Sequence, residues 1–251
     1  CIRDRYKASE CLRHAVELDA RLRAESSDST AVTDELAHSL RLLLPGAAHL
    51  PWDKFEHVCT TYEQLRYATG VVALGLASAH AVDPADAPGA FRAEWCPADE
   101  PMSHRHAMYA LRRRIYALVL RALRDDAEAM RQALASDDAL FHEELYTYMI
   151  AHGKTSELLS TPTPFLEDFL QGTPVLLDGQ SLETYERRLR DLLWQWYVRQ
   201  GEYLAAAQTL DALAHTDTYA LHLYERIEYL ALAVGNAKSV RQTAAYDLVG
   251  F

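Results

Sequence analysis

Apolar residues recur along most of this chain at steps of three and four, the spacing that lines one face of a 3.6-residue helix. Over 52–66, Trp52, Phe55, Cys59, Tyr62 and Leu65 keep that rhythm, and Pro51 stands where proline opens a helix. A second stripe, Leu182, Tyr185, Leu189, Leu192, Leu193 and Trp196, predicts a helix beginning at Ser181. A third, Tyr219, Leu223, Ile227, Leu230 and Val234, predicts one running from about Asp217, which is placed to cap it. Residues 67–82, "YATGVVALGLASAHAV", carry apolar or small side chains through most of their length, as a helix buried on most sides does. No segment alternates with period two and β-branched runs are scarce, so the chain reads as all-α.

Glycine punctuates these helices. "IAHGKTSELL", "VRQGEYLAAA" and "LAVGNAKSV" each place a glycine (Gly153, Gly201, Gly235) where one helix is expected to end and the next to restart. So little intervening chain forces successive helices to fold back on each other as αα-hairpins. The intervals between the glycines are 48 and 34 residues, so no fixed repeat is present. The expected architecture is an irregular α-solenoid of stacked antiparallel helical hairpins, a single array over 1–251. Two stretches interrupt it. Residues 83–101 hold Pro84, Pro88, Pro97 and Pro101 yet also Phe91 and Trp95, and "GTPVLLDGQ" at 172–180 is shorter. Residues 25–30 read as an exposed turn.

Length and charge narrow the function. The 251 residues suffice for a substantial core, and a start at Cys1 rather than Met reads as a piece of something longer. A formal charge of −11 and a pI near 5.4 argue against direct nucleic-acid binding, which needs Lys and Arg to neutralise phosphates. The basic run Arg112, Arg113 and Arg114, with Arg105, Arg121 and Arg124 nearby, reads as a solvated helix face paired with acids. Cys1, Cys11, Cys59 and Cys96 form no CxxC or other short metal spacing, which suits a reducing compartment. No signal peptide is visible, and the most apolar run, 16 residues with His80 inside it, is too short to span a bilayer. No membrane contact is expected.

"FHEELYTYMIAHG" begins like a metalloprotease helix, but the zinc motif needs histidines at i and i+4, and Tyr146 occupies the second place. The next histidine, His152, is about 80° out of alignment with His142 and roughly 15 Å further along a helix. No metal site is expected. His104 and His106 lie near Ser103, Asp99 and Glu100, but nearness in sequence does not make a triad. GxSxG, GxxxxGK[ST] and GxGxxG are absent, so neither a catalytic residue nor a cofactor is assigned. Instead Ser136, Asp137 and Asp138 supply the cap of a helix whose stripe is Leu140, Phe141, Leu145, Tyr148, Met149 and His152. His142 and Glu143 fall off that stripe, toward water or a neighbouring helix. Thr163 is expected to cap a further helix with Pro164 in its first position and Phe165, Leu166, Phe169 and Leu170 on its buried side.

Several of these segments resemble one family. Residues 137–170, 191–214 and 223–239 are similar to the largest scaffold nucleoporins of the nuclear pore inner ring, non-repetitive proteins with an N-terminal β-propeller and a C-terminal α-solenoid. The pieces that carry the likeness are Leu140-Phe141-His142 with Leu145-Tyr146, Pro164-Phe165-Leu166-Glu167, Asp191-Leu192-Leu193-Trp194, and Arg226-Ile227-Glu228-Tyr229-Leu230. The likeness over 51–124 is less specific, and nothing corresponds to the propeller.

The resemblance implies a non-enzymatic structural role at the nuclear envelope, in the nuclear pore complex, supporting nucleocytoplasmic transport. Its implied partners are linker nucleoporins, bound through short peptide motifs, and other inner-ring scaffold nucleoporins. Stacked hairpins expose grooves into which a disordered peptide can drop apolar anchors. The aromatics of the Pro-rich connection and the adjoining helix, Phe91, Trp95, Tyr109 and Tyr116, are the residues expected to meet such a peptide. A vesicle-coat or tethering solenoid would share the fold. A helical enzyme built on His142, Glu143, His104 and Asp99 would require those groups to converge in one pocket.

Overall fold

The computed structural model of the chain describes residues 29–82, 104–124, 126–161, 163–172 and 182–247, and among these every regular element is helical. Two compact units divide between Leu145 and Tyr146.

The first unit holds α1 (Ser29–Leu43), a 3-10 turn (Leu44–His49), α2 (Trp52–Gln64), α3 (Ala68–Val82), α4 (His104–Ala122), α5 (Ala127–Leu134) and the first half of α6 (Ala139–Ala151). Helix α3 lies at its centre, packed by α1, the 3-10 turn, α2, α4 and α5. Small residues make this possible. A Cβ on Gly75 would stand 2.3 Å from Val119 Cγ2 of α4, so only glycine permits that approach. Val71, Val72 and Leu74 are wholly buried as a result. Phe55, Cys59 and Tyr62 of α2 are buried as expected, with the Tyr62 hydroxyl donating to Ser39 Oγ at 3.0 Å. Asp126 caps α5 by accepting from the backbone N–H groups of Glu128 and Ala129, both at 2.9 Å.

The second unit continues α6 and adds α7 (Thr155–Ser160), α8 (Leu166–Gln171), α9 (Leu182–Gln200), α10 (Tyr203–His215) and α11 (Leu223–Asp247). Gly153 and Gly201 end α6 and α9 with φ of 72° and 78°. At each, the following N–H reaches back to close the last turn: Lys154 to the Met149 carbonyl and Glu202 to the Tyr197 carbonyl, both 2.9 Å. Helix α9 packs against α7, α8 and α10, and α10 against α11.

Three expectations need correction here. Gly235 ends nothing: α11 runs unbroken through it, and Asn236 Nδ2 and Ser239 Oγ donate to the Leu232 and Gly235 carbonyls within the continuing helix. Helix α11 also starts at Leu223, so Tyr219 sits in the connection before it, buried against Leu210, Leu213 and Ala214. Helix α8 starts at Leu166 with Phe165 before it; the Thr163 hydroxyl accepts from Tyr146 at 2.7 Å instead of capping, and Phe165 is only half-buried.

Candidate docking surfaces

Of the four aromatics singled out for partner binding, Phe91 and Trp95 lie outside the described residues. Tyr109 is half-buried on α4, with the Arg113 guanidinium 5.9 Å from its ring centre. Tyr116 is 0% exposed and has no surface to offer. Its hydroxyl donates to Asp138 Oδ2 at 2.5 Å and accepts from Arg112 Nε at 2.8 Å, while Arg112 Nη2 pairs with Asp138 Oδ1 at 2.8 Å. Burial and the adjacent carboxylate hold the phenol far above its ordinary pKa. Tyr116 is therefore a structural tie between α4 and the start of α6, and the binding role expected of it is withdrawn.

The same cluster settles the chemistry around the histidine. Asp138 Oδ1 also accepts from the Phe141 N–H at 3.1 Å, so this one carboxylate caps α6 and neutralises a buried arginine. His142, expected off the buried stripe, is 0% exposed, and its Nε2–H donates to the Ser136 carbonyl at 2.7 Å. Burial pushes its pKa down, which favours the neutral imidazole. Helix α6 is thus covered on more than one face: Tyr146 and Ile150 are buried along with Phe141, Leu145 and Met149. His152 is exposed and engages the Tyr148 carbonyl through Nδ1 at 2.8 Å. No group of three His, Cys, Asp or Glu side chains is placed to hold a metal among the described residues.

The arginine run is paired with acids, but it is not uniformly solvated. Arg112 is buried as above, Arg113 meets Glu144 at 2.5 Å, and Arg121 meets Glu63 at 2.8 Å. Arg114 instead lies over the Trp52 ring, 4.1 Å from its centre. Cys59 is wholly buried, and burial raises its thiol to about 12, so no reactive thiolate forms there.

Among the described residues, the large exposed apolar side chains cluster elsewhere, on α11. Leu223 is 74% exposed, Tyr224 76% and Ile227 55%, with Leu230, Leu232 and Val234 also open and Leu204 of α10 exposed as well. The opposite side of α11 is firmly held. Tyr229 and Ala233 are buried with Leu210 and Leu213, and the Tyr229 hydroxyl donates to Asp191 Oδ1 at 2.9 Å. Arg187 of α9 reaches Glu225 at 2.7 Å, and Arg226 donates to the Ala214 carbonyl at 2.8 Å. Four members of the predicted stripe (Leu223, Ile227, Leu230 and Val234) are thus at the surface. Their periodicity is that of a buried face, so spacing alone could not distinguish the two. No helix among the described residues is long and apolar enough to cross a membrane.

Comparison with known proteins gives these surfaces a context. The chain is 32% identical over 121 residues to nucleoporin NUP170 of Saccharomyces cerevisiae, a stretch that covers 46% of this chain and 7% of that protein. It shares its fold with a mutant form of the Nup170 CTD of Chaetomium thermophilum (TM-score 0.76, 24% identity, 92% of this chain and 46% of that one). A second solved structure, the C. thermophilum Nup170 CTD–Nup145N complex, superposes with a TM-score of 0.70 at 25% identity, over 89% of this chain and 44% of that one. The chain thus spans only a small part of the yeast relative's length and under half of either solved chain. These relatives are nucleoporins, structural proteins rather than enzymes, and the expected α-solenoid class is the one their fold shows. The family described as non-repetitive/WGA-negative nucleoporin C-terminal matches residues 5–249, and this chain belongs to it.

Proposed function

We propose that this chain is a stretch of the nuclear pore scaffold at the nuclear envelope, and that it docks short linear segments of linker nucleoporins. The observation that carries this reading is the likeness, over 89% of the chain, to a Nup170 CTD solved in complex with Nup145N. Family membership supports the structural role and disfavours the vesicle-coat alternative. Helical hairpins with open apolar positions give a flexible segment places to anchor, and wrapping a large surface offsets the entropy lost on ordering it. Other inner-ring scaffold nucleoporins are further partners in this reading, and neither nucleic acid nor lipid is contacted directly. The net charge of −11 favours segments that carry basic residues beside their apolar anchors.

The test is isothermal titration of the chain with peptides tiled across the linker nucleoporins. Sub-micromolar, one-to-one binding by one peptide is the expected result, weakened at least tenfold by Trp95→Ala, Phe91→Ala or Tyr109→Ala if the Pro-rich connection is the site. Binding that none of these three changes would move the site elsewhere on the chain. No binding by any peptide would reduce the chain to a spacer.

A further inference from the structure

We draw no further inference here: the strongest candidate, the exposed apolar stripe of α11 formed by Leu223, Ile227, Leu230 and Val234, is an unpartnered helix face, and nothing in the structure shows what covers it.

Discussion

Helices α3 and α11 are both rich in apolar residues, yet they end in opposite situations. Around α3, five elements close on a helix of small and branched side chains, and Val71, Val72 and Leu74 lose all contact with water. Helix α11 packs on α10 and is tied to α9 by the Arg187–Glu225 pair and the Tyr229–Asp191 hydrogen bond, while Leu223, Ile227 and Val234 stay more than half exposed. The apolar spacing is as regular on α11 as on any buried helix. A stripe therefore reports that a face is apolar; a second element must arrive before that face stabilises anything, because the gain comes from area removed from water.

Substitutions test this contrast directly. The largest effect is expected where burial is combined with charge. Asp138→Ala removes the α6 cap and takes one carboxylate partner from the buried Arg112 guanidinium, so we expect a loss of about 3–5 kcal/mol in urea unfolding. A loss below about 1 kcal/mol, the size of an exposed ion pair, would mean that water reaches the cluster. Next comes the direct comparison of the two helices. Leu74→Ala should cost about 2–5 kcal/mol through the cavity it leaves, whereas Ile227→Ala should stay within about 0.5 kcal/mol, as surface changes do. Equal losses at the two positions would show that α11's outer face is covered in solution.

The glycines give a contrast of sign. Gly75→Val drives a methyl-bearing side chain into Val119, and overpacking of this kind costs about 1–3 kcal/mol. At Gly235 an added Cβ meets nothing within 4 Å, so Gly235→Ala should stabilise the helix interior by about 0.5–1 kcal/mol. Thermal unfolding of the pair measures both; destabilisation by Gly235→Ala would contradict an uninterrupted α11.

The smallest effect is that of pH on α6. Burial lowers the His142 pKa in the folded chain, so as pH falls below the ordinary value of about 6.5 the unfolded chain takes up the proton first. Its contribution to stability is intact above that value and is lost as pH falls toward the folded pKa. His142→Gln should flatten the decline of the urea midpoint between about pH 7 and pH 5. An unchanged slope in that variant would assign the decline to other groups.

Much of the helical layout was legible in the chain. The α2 stripe, the burial of 67–82 on most sides and the helix ends at Gly153 and Gly201 follow from local rules, since periodicity and left-handed glycine closure involve only neighbouring residues. Gly235 shows the limit of the same rule. A glycine after an apolar stripe reads as a stop, but the helix hydrogen bonds continue through it and no left-handed residue forms. His142 and Tyr116 are buried for a different reason. His142 lies off the apolar stripe and Tyr116 is amphipathic, yet each is buried with its polar group satisfied: the Ser136 carbonyl, just before the helix, accepts from the imidazole, and Asp138, at the start of the next helix but one, accepts from the phenol. Of the proposed binding residues, Tyr109 is half-buried and Tyr116 fully buried although they share one face of α4, since spacing along a helix does not tell which end of a face is covered.

Residue type and spacing were enough to say that this chain is helical, where most helices lie, that no zinc motif spans His142 to Tyr146, and which family its segments resemble. Those properties depend on residue type and spacing over a few turns. Which apolar faces are covered, and which polar groups are buried with a partner, emerges only once the helices pack. Covering a face and pairing a buried charge both require residues far apart in the chain to meet, and no local pattern encodes that meeting. Asp138 serving Arg112, Tyr116 and the Phe141 N–H at once, and the α11 stripe left in water, are the two outcomes that spacing could not announce.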